Sequence, residues 1–231
     1  MTDAPERYEA LRADLVRRFR TTTLHVRIAE RDIALLAPAN ADDLIREDDY
    51  VKDERLPYWA DVWPSSRILA DEVAIMRLSG LRVLELGCGL GVVATAARLA
   101  NADVTATDYY EDAVEFAALN VWTATGTSIT TRMVDWSKLP EDLGKFDVVL
   151  ASDVLYEPRY AAMVANVFAR TLARGGEAIV ADPGRIALPA FREEARARGL
   201  VSEPDPRPWV DGEIRQTITL WKLRWSSDDG A

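Results

Sequence analysis

VLELGCGLGVV, residues 83–93, carries the clearest chemical signal in the chain. Four apolar or β-prone residues run into Gly87, Gly89 and Gly91, and an alanine-rich run follows. A strand that empties through glycines into a helix brings a ligand against backbone N–H groups at the helix start. The spacing is Gly-x-Gly-x-Gly, not the Gly-x-Gly-x-x-Gly of the dinucleotide fingerprint, and the absence of a following Gly-Lys-Ser/Thr excludes a phosphate-gripping loop. Glu85 stands two residues before the first glycine. Asp108 ends the next apolar run, twenty-one residues after Gly87, where a carboxylate can accept hydrogen bonds from both hydroxyls of a ribose. Asp135 and Trp136 close the third run, and an acid beside an indole can bracket an adenine. Glycines at a strand–helix junction also serve plain tight packing, so the loop draws its meaning from these other positions.

Elements that can position such residues are legible around them. Apolar runs at Val83–Leu86, Val104–Thr107, Ile129–Val134, Phe146–Ala151 and Ala178–Ala181 read as strands, with helical stretches near 91–100, 112–123 and 159–173 between them. That alternation predicts βαβ units and a mainly parallel, doubly wound α/β sheet. Pro189 opens a further helix to about Arg198. WVDGEIRQTITLWKLRW then predicts an antiparallel hairpin about an Asp-Gly turn. Upstream, Tyr8, Leu11, Leu15 and Phe19 recur at helical spacing over residues 4–19, and Leu24–Ile28 with Ile33–Leu36 predict a small hairpin before Pro38. ADDLIREDDYVKDERL reads as a solvated charged linker. The expected division is an N-terminal extension (1–56), one α/β domain (57–225) and a short tail (226–231).

Composition removes several function classes. A net charge of −10 argues against a nucleic-acid or anionic-membrane binder, which needs a basic surface, and favours basic or cationic partners. One cysteine, Cys88, excludes an internal disulfide and a cysteine-cluster zinc site, and one histidine, His25, leaves little for a histidine metal site or a Ser-His-Asp triad. Cys88 reads as a small buried residue and His25 as an exposed one. No apolar run is long enough to span a bilayer, and the acidic N-terminus resembles neither a signal nor a transit peptide, so a cytoplasmic location is expected.

ELGCGLG followed by Asp108 and by Asp135–Trp136 resembles the S-adenosylmethionine site of the seven-stranded class I methyltransferases, over roughly residues 60–225. The resemblance implies a Rossmann-like fold and S-adenosyl-L-methionine as cofactor. It implies that Gly87, Gly89 and Gly91 admit the methionine part, that Glu85 fixes the loop, that Asp108 holds the ribose, and that Tyr109, Asp135 and Trp136 meet the adenine. LPYWADVWPSS, ASDVLYEPRY and ADPGR further resemble the protein-lysine methyltransferase group, in particular the branch of the electron-transfer-flavoprotein β-subunit enzymes. The Asn/Asp-Pro-Pro-aromatic motif of base N-methylating enzymes is replaced by Ser152-Asp153-Val154-Leu155-Tyr156.

On that resemblance Trp63 and Ser152 border the cofactor, Asp153 orients a substrate ammonium, and Tyr156 caps the pocket with its ring toward the cation. A nearby sulfonium and a dry pocket lower the pKa of the amine, and no dedicated general base is evident. The plainer readings are that Asp153 caps a following helix and that Trp59 and Trp63 are packing aromatics; the motif context favours the functional reading for Asp153 and Trp63 and neither reading for Trp59. Asp182-Pro183-Gly184-Arg185 makes a turn in its own right, and the sequence gives Arg185 no catalytic role. The expected activity is N-methylation of a protein lysine. The alternatives are a small-molecule amine and, from another class, a non-catalytic binding module. An open acidic groove beside Asp153 favours the protein substrate.

Overall fold

A computed structural model describes residues 3–44 and 56–226. Helix α1 (Ala4–Arg18) starts at Asp3, whose carboxylate accepts from the Ala4 amide, with Pro5 in its first turn and Arg17 and Arg18 at its last. Strands β1 (Thr21–Ile28) and β2 (Arg31–Pro38) form an antiparallel hairpin by themselves. The expected helix and hairpin are therefore present. Most of the charged linker, residues 45–55, lies outside the described residues, as does all but the first residue of the expected tail.

Seven strands make the main sheet: β3 (Arg82–Leu86), β4 (Asp103–Asp108), β5 (Thr130–Met133), β6 (Phe146–Ser152), β7 (Leu172–Asp182), β8 (Leu200–Asp211) and β9 (Ile214–Trp225). Their order is β5-β4-β3-β6-β7-β9-β8. Pairing is parallel from β5 to β7 and antiparallel through β9 and β8. The chain lays β3, β4 and β5 outward in one direction and returns to set β6 on the other side of β3. Ligands of open α/β sheets bind beyond the strand C-termini at such a reversal.

The helices are α2 (Pro64–Ile75), α3 (Val92–Leu99), α4 (Glu111–Thr125), α5 (Tyr160–Thr171) and α6 (Leu188–Ala197). Because strand side chains alternate, neighbouring residues feed two cores. Val83, Val148, Leu150 and Ile179 face one layer with α2, α3 and α4, while Leu84, Val149, Ala151 and Val180 face the layer of α5 and α6. A third cluster fixes the N-terminal extension on the outside of α4, with Tyr8 stacked on Trp122 at 4.6 Å.

Three features depart from the sequence expectations. Helix α2 was not expected, because its buried face, Ser65, Leu69, Ala70 and Val73, is partly small and polar. Strand β7 begins at Leu172 rather than Ala178, through a register shift opposite Phe146 and Val148. Strand β8 reaches back to Leu200 through Pro204, Pro206 and Pro208. Those prolines occupy alternate positions of an edge strand, so the missing N–H groups share one side and no ladder bond to β9 is lost. Among the described residues no helix is long and apolar enough to cross a membrane.

Candidate active site

The glycine loop lies over the C-terminal end of β3. Cys88 donates its amide to the Thr107 carbonyl at 2.9 Å, and Gly89 donates to Asp108 Oδ2 at 3.0 Å, so the loop is tied to the end of β4. Asp108 also accepts from the Tyr110 amide at 3.2 Å. Gly89 has φ 49°, and a Cβ there would sit 2.9 Å from the Trp59 carbonyl oxygen. At Gly91 a Cβ would fall 2.9 Å from Ala117 Cα, so this glycine lets α3 pack on α4. Asn120 of α4 reads three backbone groups at once. Its Oδ1 accepts from the Leu36 amide at 2.8 Å, and its Nδ2 donates to the Leu36 and Leu90 carbonyls, both at 3.0 Å.

Beside the loop opens a cleft of about 350 Å³. The structure brings together along its wall Trp63, Gly87, Gly89, Asp108, Tyr109, Asp135, Trp136, Ser152, Asp153 and Tyr156 of the sequence-derived set. Glu85, in β3, and Gly91, at the start of α3, are not on that wall. Glu85 is 2% exposed, and burial pushes its carboxyl well above the usual carboxylate range, opposed by a hydrogen bond with the Ala94 backbone. Burial likewise raises Asp108, although amides of Gly89, Tyr110 and Tyr109 pull the other way. The Cys88 thiol is also driven up by burial, which keeps it an unreactive thiol. Asp135 accepts from both the amide and the hydroxyl of Ser137, at 2.8 and 2.7 Å.

Asp153 lines the other end of the cleft and is 9% exposed. It has φ 58°, a left-handed conformation that a non-glycine residue holds at a cost of about 1–3 kcal/mol and that is concentrated at functional sites. Its amide donates to the Ala181 carbonyl at 2.9 Å. Its Oδ2 accepts from Ser65 Oγ at 3.0 Å, and its Oδ1 accepts from Arg185 Nε at 2.6 Å. The helix-cap reading of Asp153 falls away, since the next helix begins only at Tyr160.

Aromatic rings wall this end. Tyr58 meets Trp63 at 5.9 Å and Tyr156 at 5.3 Å, Tyr156 meets Tyr160 at 5.0 Å, and Tyr160 meets Trp136 at 5.5 Å. Trp63 Nε1 donates to the Tyr58 carbonyl at 2.9 Å. Burial, the chief cause, lifts the Tyr156 phenol above its ordinary value. Trp59 is buried against Phe116. His25 lies exposed, 2.9 Å from Asp32 and far along the chain from any of these residues.

The wall is acidic. Among the described residues it carries the carboxylates of Asp61, Asp108, Asp135 and Asp153 against one guanidinium, Arg159. Burial, with Asp42 nearby, raises Asp61. Tyr58, Asp61 and Tyr109 are solvent-exposed, so the cleft opens to water. Residues of the site that were not picked out in the sequence include Tyr58, Asp61, Tyr160, Ser65 and Asn120. Tyr58 sits inside PYWADVWP and Tyr160 ends EPRY, so their aromatic type was the only available signal; Ser65 and Asn120 carried none.

A family model described as lysine methyltransferase matches residues 58–186. The chain belongs to that family. The matched segment runs from Tyr58 to just past Arg185, and so spans the whole wall of the cleft except Leu56. The electron transfer flavoprotein beta subunit lysine methyltransferase of Xenopus laevis is 31% identical over 135 residues, 56% of this chain and 53% of that protein. Protein N-lysine methyltransferase METTL21A of Xenopus tropicalis is 32% identical over 103 residues, 42% of this chain and 47% of that protein. The chain thus spans about half the length of the curated relatives it matches.

Among solved structures, magnesium protoporphyrin IX methyltransferase (ChlM) from Synechocystis PCC 6803 with bound SAM aligns with a TM-score of 0.56 at 22% identity, covering 81% of this chain and 99% of that one. A putative RNA methyltransferase, PH1948 from Pyrococcus horikoshii, aligns with a TM-score of 0.57 at 14% identity, covering 74% and 88%. At such identities the likeness is one of fold. It bears out the Rossmann-like seven-stranded sheet, in a chain of the lysine methyltransferase family and beside a solved structure that holds S-adenosylmethionine as its cofactor.

The chain's own residues fit that cofactor. Gly87 and Gly89 line the cleft with no side chain of their own, a carboxylate lies at the end of β4, aromatic side chains stand at Tyr109 and Trp136, and among the described residues no lysine lies on the wall. A net acidic wall suits a cation, and a sulfonium is one.

Proposed function

We propose that the chain transfers a methyl group from S-adenosylmethionine to a lysine side chain of a protein. The observation that carries this reading is the cleft whose wall bears four carboxylates, Asp153 among them, with aromatic rings around the Asp153 end and an opening to solvent on the side of Tyr58 and Asp61. Such a wall suits a cationic side chain entering from outside. When bound, S-adenosylmethionine supplies an electrophilic methyl on a sulfonium, whose sulfur keeps the electron pair of the broken bond.

The protein's contribution is to hold and align. The backbone of Gly87 and Gly89 leaves room for the methionine part, Asp108 accepts from the ribose hydroxyls, and Tyr109, Asp135 and Trp136 flank the adenine. Trp63 and Ser152 border the same space. Glu85 in β3 and Gly91 at the start of α3 fix the loop. Asp153 orients the amine as an acceptor, Tyr156 and Tyr58 face it, and the rings exclude water, so alignment and desolvation supply most of the acceleration. Residues 57–225 form the methyltransferase domain in this proposal, and residues 1–56 an extension that borders the cleft.

Methyl-labelled S-adenosylmethionine, the purified protein and a cell extract split into protein and small-molecule fractions test the reading. One or a few labelled protein bands, with the label on lysine by mass spectrometry, are expected. Asp153→Asn should keep S-adenosylhomocysteine binding and lose labelling, whereas Asp108→Asn should lose at least tenfold in S-adenosylhomocysteine affinity, about 1.4 kcal/mol. Label confined to small molecules would overturn the protein substrate in favour of a free amine.

A further inference from the structure

Asp153 poses a problem for the chemistry just described. An uncompensated carboxylate beside an amine favours the ammonium form, raising its pKa by about 1–3 units, and an ammonium has no lone pair to attack with. The residue that was to orient the nucleophile would by itself switch it off.

Arg185 stands where this is resolved. It belongs to the loop between β7 and α6, and its backbone is fixed there by Asp182, whose Oδ1 accepts from the Gly184 and Arg185 amides, both at 2.7 Å. Its side chain reaches back to Asp153 with the 2.6 Å contact from Nε. The guanidinium carbon lies 5.6 Å from the centre of the Trp63 ring, so an aromatic face also holds the cation. Asp153 lines the cleft and Arg185 does not. An entering amine therefore meets the carboxylate in front, with the guanidinium behind it.

We infer that Arg185 is a positioning residue that cancels the charge of Asp153, so that the substrate amine is held as the neutral nucleophile. The inference rests on the lysine reading above. A guanidinium keeps its proton at every working pH, so the compensation does not titrate away. The other groups that act on Arg185 are Asp182 behind it and the Tyr58 phenol; Tyr156 and, across the cleft, Asp108 face the amine site. Burial raises Asp182, and the hydrogen bond to Asp153 raises Arg185. On binding, one proton of the incoming ammonium passes to solvent, its bonding pair stays on nitrogen as the lone pair, and the neutral amine donates one of its two remaining N–H bonds to Asp153.

The test counts that proton. n-Butylamine, a lysine side-chain mimic, is titrated calorimetrically into the S-adenosylhomocysteine complex at about pH 8, where the free amine is charged, in buffers of different ionisation enthalpy. The wild type is expected to release about one proton per amine bound. Arg185→Gln should bind the amine several-fold more tightly with release falling toward zero, and Arg185→Lys, which restores a cation, should recover the release. Unchanged S-adenosylhomocysteine affinity in both variants shows an intact fold. On a labelled protein substrate, the rising limb of kcat against pH should move up by about one to two units in Arg185→Gln alone. Equal proton counts in wild type and Arg185→Gln would overturn the role of Arg185 and leave the lysine reading standing. Failure of the wild type to bind the amine, with no labelled protein, would overturn both.

Discussion

Replacing Gly89 by alanine separates two costs that a glycine loop usually confounds. The φ of 49° already strains any residue with a Cβ, by about 1–2 kcal/mol. Gly80 offers the control, since its φ is 77° and a Cβ there would meet nothing within 4 Å. Gly80→Ala should therefore show the conformational term alone, a melting temperature lower by about 2–8 °C for a chain of this size. Gly89→Ala adds a Cβ 2.9 Å from the Trp59 carbonyl oxygen, and that carbonyl belongs to a turn held by the buried Trp59 ring. The loop is then the part that must move, and with it the Gly89 amide that donates to Asp108. Losing a hydrogen bond to a buried carboxylate costs about 1.5–3 kcal/mol. S-Adenosylhomocysteine affinity, measured by calorimetry, should fall at least tenfold below that of Gly80→Ala, since 1.4 kcal/mol is about tenfold. Affinities within twofold of each other would refute the idea that close approach to Trp59 sets the loop.

Asn120→Leu strips partners from the Leu36 amide and carbonyl and from the Leu90 carbonyl. At about 1–3 kcal/mol per buried unpaired group, and less than additive, the loss should be about 3 kcal/mol, read as a drop of about 6–12 °C in melting temperature. A loss below about 1 kcal/mol in denaturant unfolding would show that the clasp is dispensable. Glu85→Gln should change the pH dependence of stability. In the unfolded chain this carboxyl loses its proton near 4.5, while burial keeps it protonated in the folded chain to higher pH. Stability from this group is thus complete below about 4.5 and is lost as pH rises toward the folded value, at up to about 1.4 kcal/mol per pH unit. Melting temperatures from about pH 5 to pH 9 should show the variant gaining on the wild type; parallel curves would refute the assignment.

Much of this molecule is written locally. The apolar runs that became β3, β4 and β6, the glycines between β3 and α3, and the acids at strand ends are all short-range patterns, and the structure brings the glycines and acids together at the C-terminal ends of these central strands. What escaped is what depends on distant partners. Helix α2 hides because its buried face includes Ser65, a residue chosen for its hydroxyl, 3.0 Å from a carboxylate 88 positions away. Strand β8 hides behind three prolines that forbid a central strand and are tolerated only at an edge, a distinction that needs the topology first. Arg185 read as part of a turn because nothing near it in sequence announces Asp153.

The same reasoning explains why Asp153 can be strained without being loose. A left-handed aspartate costs free energy, and it persists only where the surroundings over-determine it. Here three separate elements do so: β7 through the Ala181 carbonyl, α2 through Ser65 and the loop after β7 through Arg185. Each fixes a different atom of the residue, namely the amide, Oδ2 and Oδ1. The carboxylate, on the wall of the cleft with both oxygens held, has little rotamer freedom to lose when a substrate arrives. Pre-organisation of that kind lowers the entropy cost of alignment. It also makes the site intolerant of length changes: Asp153→Glu keeps the charge but cannot reach Ser65 and Arg185 from the same backbone, so it should retain S-adenosylhomocysteine affinity in calorimetry and lose most methyl transfer. Full transfer by that variant would show that the charge alone, and not its placement, is what the cleft supplies.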